Sequence, residues 1–108
     1  MSEKTIWVSF DLGLKGDYTG MYAWLDTHDA RECNNYLAIL KYGDSKDFLA
    51  EIENEVRRCV KLAEDDRVYL IWKEDDTGKL KGKFIHGARK RAPWHGYGRS
   101  GVAQTEDE

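Results

Sequence analysis

Proline is almost missing from this chain: Pro93 is the single one in 108 residues. Its scarcity excludes proline-rich and collagen-like architectures and leaves helices and strands uninterrupted up to residue 92. Cysteine is nearly as rare. Cys33 and Cys59 form no C-x-x-C pair, so neither a disulfide scaffold nor a redox dithiol is indicated, and free thiols are expected. No apolar run approaches the roughly 20 residues of a membrane-spanning helix. Met1 to Lys4 is polar, with no signal-peptide apolar region, so the expectation is a cytoplasmic protein with no membrane partner. His28, His86 and His95 lack the H-x-x-x-H spacing of a zinc site. Gly96, Gly98 and Gly101 match neither a P-loop nor G-x-G-x-x-G and read as a flexible loop. The expectation is therefore no cofactor and no metal.

Apolar residues make up 41% of the chain and aromatic residues 12%, enough for one well-packed domain. The 34% of charged residues are unevenly spread. Residues 1–77 carry 10 Lys/Arg against 17 Asp/Glu, a net −7. Residues 78–101 carry seven cations and no acid, a net +7, and Glu106, Asp107 and Glu108 return −3. A whole-chain charge of −3 conceals a basic segment of high local density.

Hydrophobic periodicity supplies the elements. Thr5 to Leu12 alternates, with Ile6, Val8, Phe10 and Leu12 on one face and Trp7, Ser9 and Asp11 on the other, as a strand does. Asp17 can cap a short helix in which Tyr18, Met21, Tyr22 and Leu25 form the buried stripe, ending near Thr27 or His28. Ala30 to Tyr42 is extended, and Asn34-Asn35 within it leaves open one bulged strand or a hairpin. Asp44 or Ser45 can cap a longer helix whose face runs through Phe48, Leu49, Ile52, Val56, Cys59, Val60 and Ala63. Cys59 is expected as a buried small hydrophobe, and Glu64-Asp65-Asp66 as a solvated connection. Val68 to Trp72 is the most hydrophobic strand and is expected at the centre of the sheet. Asp75-Asp76-Thr77-Gly78 is a hairpin turn into a last strand, Leu80 to Ile85, where Lys81 and Lys83 discourage edge pairing.

The order β-α-β-(β)-α-β-β predicts an α+β two-layer sandwich, ferredoxin-like, with two helices on one face of a four- or five-stranded sheet. Residues 1–98 form this single domain and 99–108 a disordered acidic tail.

The basic segment carries the chief functional expectation. Lys81, Lys83, Arg89, Lys90, Arg91 and Arg99 supply phosphate contacts, and Trp94, His95 and Tyr97 supply stacking surfaces and a polar ring. That combination points to binding of RNA, DNA or another anionic partner by a protein that is not an enzyme. The plainer alternative is a solvated edge strand with a basic tail.

Asp11 ends the first strand before Gly13, and acids at strand ends can ligate divalent metals, although such an Asp more commonly caps loop N–H groups. Val8-Ser9-Phe10-Asp11-Leu12, the following helix, the extended stretch Ala30 to Tyr42, a second helix and Val68 to Trp72 resemble in layout the small ferredoxin-like proteins of the CRISPR-associated Cas2 and VapD group. The resemblance covers about residues 5–74. It implies a homodimer and, in some members, a metal-dependent nuclease with Asp11 as ligand. The loop Gly13-Leu14-Lys15-Gly16-Asp17 lacks the arginines those families often carry there. Two alternatives therefore accompany the binding expectation: a nuclease centred on Asp11, and a homodimeric interaction module without nucleic-acid binding.

Overall fold

A computed structural model describes residues 3–100, with side chains as far as residue 98. Its elements are β1 (Glu3–Asp11), α1 (Tyr18–Thr27), β2 (Arg31–Asn34), β3 (Leu37–Gly43), α2 (Phe48–Cys59), β4 (Arg67–Lys73), β5 (Leu80–His86) and a four-residue turn of helix, α3 (Tyr97–Ser100). The strands form one open antiparallel sheet in the order β2-β3-β1-β4-β5. The stretch after α1 is thus a hairpin, turning at Asn35 and Tyr36 where Asn34 Oδ1 accepts from the Tyr36 N–H at 2.7 Å. The centre belongs to β1, not to Val68–Trp72 as its apolarity suggests; β4 is the next strand out. The acidic tail expected from residue 99 lies, beyond residue 100, outside the described residues, and residues 97–100 take helical backbone.

Alternation decides what each strand buries. Ile6, Val8 and Phe10 of β1, Ala38, Leu40 and Tyr42 of β3, and Val68, Leu70 and Trp72 of β4 form one continuous buried face. Met21, Trp24 and Leu25 of α1 and Phe48, Ile52 and Val56 of α2 pack onto it. Each large apolar side chain buried in full contributes about 2 kcal/mol. The stripe of α1 is rotated from its expected position: Trp24 is buried, whereas Tyr22 is 50% exposed. Cys59 is exposed, contrary to its place on the helical stripe. The helix stops there, and Val60 takes extended backbone (φ −123, ψ 129) and is buried in its stead.

Trp24 is buried beside α2 because its indole has a partner. Glu55 Oε1 accepts from Trp24 Nε1 at 2.9 Å and lies 2.8 Å from His28 Nε2, while Oε2 accepts from the Tyr42 hydroxyl at 2.6 Å. One carboxylate therefore joins α1, α2 and β3. Burial pushes the Glu55 carboxyl up, but the bonds from Tyr42, Trp24 and His28 outweigh it and the net shift is down. The Tyr42 phenol moves up, through burial first and then its bond to Glu55.

A second clamp uses Asp66, only 2% exposed. Its Oδ1 accepts from the Gly13 N–H at 3.0 Å and its Oδ2 from the Ala63 N–H at 2.7 Å, tying the loop after β1 to the loop before β4. The expected solvated run is in fact a buried latch at this residue. Asp17 acts similarly, capping α1 through Gly20 N and holding Lys61 N at 2.8 Å. Those bonds hold its carboxyl below the usual range, the one from Lys61 most strongly.

Two outcomes are expected. Glu55 has a folded value depressed below its ordinary 4.5, so its contribution is full above 4.5 and is lost as pH falls through the folded value. Urea unfolding midpoints of Glu55→Gln should fall by the equivalent of about 1–2 kcal/mol at neutral pH and decline less than wild type below pH 4.5; parallel curves would discount the hub. Asp66→Ala strands two N–H groups and should cost about 2 kcal/mol in the same assay, against a few tenths for a solvated Asp.

Candidate functional site

The two helices cover one face of the sheet. On the other face, directly opposed residues in neighbouring strands stand side by side. Trp7 lies between Ile39 and Ile71, and Ser9 lies between Leu37 and Tyr69. Tyr69 in turn faces Phe84, their rings meeting edge-on at 4.7 Å between centroids. None of these residues reaches full burial, because no helix packs on this face among the described residues. Cations stand among them: Lys41, bonded to Thr5 Oγ1 at 2.7 Å, and Arg67, paired with Asp11 at 2.6 Å. The helix layer has the opposite sign, with Asp26, Glu51, Glu53 and Glu55 against Arg57 and Arg58.

Tyr69 owes its position to Gly82. A Cβ at residue 82 would collide with the Tyr69 hydroxyl and ring, so the ring lies flat across the glycine on β5. Both turns flanking β5 use glycines in the left-handed region, Gly78 at φ +70 and Gly87 at φ +82, which redirect the chain. After Gly87 the basic segment returns to the open face. Arg89 stacks over the Phe84 ring at 5.8 Å, and Arg89 and Trp94 join Ser9, Asp11, Arg67, Tyr69 and Phe84 around a depression of about 400 Å³. Trp94 is 74% exposed, leaving most of its indole available.

The residues expected to bind are only partly brought together. Arg89 and Trp94 converge on the open face. Lys90 and Arg91 beside them are exposed, as are His95, whose N–H donates to Ala92 O at 3.0 Å, and Tyr97. Arg99 lies in α3, its side chain outside the described residues. Lys81 and Lys83 stand apart. Their cross-strand partners are Trp72 and Leu70, which face the helices, so both lysines project from the helix side of the edge strand, and Lys81 lies 3.9 Å from Glu74.

Asp11 has an ion-pair partner instead of a metal-like setting. Its Oδ2 accepts from Arg67 Nε at 3.2 Å and Nη2 at 2.6 Å. Asp17 and Asp66, acids of the flanking loops, are spent on backbone N–H groups, and among the described residues no three His, Cys, Asp or Glu side chains gather as a metal site. His86 also has a local role, its Nε2 lying 2.8 Å from Ala63 O and its Nδ1 3.3 Å from Arg57.

A second aromatic group is not apparent from the sequence. At the C-terminal end of β1, Phe10 is ringed by Tyr18, Tyr22 and Tyr36 at centroid distances of 6.5, 6.3 and 6.4 Å. They line a cleft of about 670 Å³ that also reaches Ser9 and Asp11. Burial pushes the Tyr18 phenol up, with Tyr36, Asp11 and Tyr22 adding to it, and the hydroxyl donates to Leu12 O at 2.8 Å. Sequence does carry a signal for the open face itself, though not for this cleft: Trp7, an aromatic on the supposedly solvated side of an alternating strand, announces a second apolar face.

The chain matches no family model, no curated protein and no solved structure.

Gly82→Ala should displace Tyr69 and cost about 1–3 kcal/mol in urea unfolding. The cost should shrink when Tyr69 is also replaced by Ala; an equal loss in both backgrounds would show that the ring does not depend on the glycine.

Proposed function

We propose that the open sheet face and the basic segment that returns to it bind nucleic acid, with single strands preferred over duplex. The observation that carries the reading is the depression where Arg89 and Trp94 meet Arg67, Tyr69 and Phe84. Cations there attract phosphate through counterion release, and exposed rings offer bases a stacking partner. A duplex keeps its bases stacked inside and can use only the cations, which is why a site of this composition favours a single strand. The acid-rich helix layer repels the same ligand and orients it toward the sheet. Lys81 and Lys83, on the far side of β5, add to the field around the edge without touching a strand laid on the open face.

We also read the sheet as a ferredoxin-like arrangement extended by one strand; the order β2-β3-β1-β4 with a helix after β1 and after β3 supports this, and β5 is the addition. The reading is of a binding protein. The nuclease alternative has no observation in its favour: Asp11 is ion-paired with Arg67, and among the described residues no further acids or histidines gather with it as a metal site.

The experiment is fluorescence anisotropy with labelled single-stranded and duplex oligonucleotides of one sequence across a salt series, with Mg²⁺ present and absent. Single strands should bind more tightly, with no cleavage. Reversing Arg89, Lys90 and Arg91 to Glu should weaken binding and reduce the salt slope by about two units, each neutralised phosphate being worth roughly 0.7. Trp94→Ala should weaken binding about tenfold, the scale of one stacked base. Unchanged binding in both variants, or self-association at low salt without oligonucleotide binding, would overturn the reading.

A further inference from the structure

Asp11 is out of place on a phosphate-binding face. It is 63% exposed and repels the backbone the surrounding cations attract. Both Arg67 contacts go to Oδ2, which holds the carboxylate in one orientation, and Oδ1 accepts no hydrogen bond among the described residues. The aromatic depression of Tyr69 and Trp94 lies to one side of it and the cleft of Tyr22 and Tyr36 to the other, and Ser9 and Asp11 line both. We infer that Asp11, oriented by Arg67, reads the edge of a base held between the two aromatic depressions and selects one carrying an exocyclic amine. This rests on the single-strand reading above.

The chemistry is that of an acceptor with no donor. A carboxylate oxygen accepts from cytosine N4–H, or from the amines of adenine and guanine. Uracil offers one donor, N3–H, set between two carbonyl oxygens that a carboxylate repels. Stacking on tyrosine and tryptophan is nearly indifferent to base identity, so it supplies affinity while Asp11 supplies the difference. Neighbouring strands lie about 4.8 Å apart, so the track from Phe84 on β5 through Tyr69 and Asp11 to Tyr36 crosses three such gaps, on the order of 14 Å. That suits the lower end of the roughly 4–16 nucleotides typical of single-strand sites.

The experiment compares labelled eight-nucleotide oligo(C) and oligo(U) RNA at pH 7.5, where the two differ at the base edge and little in stacking. Wild type should prefer oligo(C) about tenfold, the value of one charge-assisted hydrogen bond. Asp11→Ala removes the acceptor and frees Arg67, so the preference should fall to about one while affinity for oligo(U) rises. An exposed ion pair contributes little to stability, and isosteric Asp11→Asn, which should keep a reduced preference, guards against a folding defect. Trp94→Ala should weaken both oligonucleotides equally and leave the ratio intact. A wild-type ratio near one, or a preference that survives Asp11→Ala, would overturn the role of Asp11 while leaving single-strand binding in place. Binding of neither oligonucleotide would overturn both.

Discussion

A sheet has two faces, and two helices of 10 and 12 residues can cover only one of this five-stranded sheet. Everything distinctive about the molecule follows from that limit. The covered face is ordinary packing: alternating apolar residues of three strands, each including an aromatic, a further aromatic from each helix, and one carboxylate, Glu55, that gives the buried indole and phenol their partners. The uncovered face keeps Ile39, Trp7 and Ile71 in one cross-strand row and Tyr69 and Phe84 in another, with no helix packed above them among the described residues. Leaving such residues at the surface forgoes about 25 cal/mol for every Å² not buried, a cost to stability that a binding surface can offset only through its ligand.

The distribution of charge follows the same division. Acids concentrate on the helix layer and its loops, while the strands of the open face and the segment after β5 bring cations to the rings. A chain with a net charge of −3 thereby presents a basic face. Whole-chain charge is a poor guide to partners for this reason: the potential a ligand meets is set within a Debye length of about 8–10 Å, far less than the width of the domain.

Much of the fold is legible in sequence because period and punctuation agree. The alternation of Ile6, Val8 and Phe10, the cap at Asp17 and the turn at Gly78 stand where their local signals put them, and both helices are present, although α2 begins after Asp47 instead of Asp44 or Ser45 and ends at Cys59, short of Ala63. What stays hidden depends on tertiary partners. Asp66 sits in a run of acids that looks solvated, and only the approach of Gly13 makes it a latch. Trp24 lies off the simplest helical stripe and is buried because Glu55 meets it. Lys81 and Lys83 belong by sequence to the same basic segment as Arg89, but side is fixed by hairpin register, and a shift of one residue exchanges the faces. The tyrosines around Phe10 come from α1 and the β2–β3 turn, two places with no common sequence pattern.

The central place of β1 has a consequence for how the chain reaches this structure. β1 is made before either of its partners, β3, pairing Glu3 with Gly43, and β4, pairing Ile6 with Trp72. A nascent chain therefore holds an apolar strand, with Trp7 on one side and Ile6, Val8 and Phe10 on the other, unpaired until β3 appears and half-paired until β4 does. Such non-local pairing slows folding, since loop closure must precede the contacts that reward it. During synthesis, at about 5–20 residues per second, this leaves several seconds in which the strand that organises the finished sheet is also the segment most exposed to misassociation.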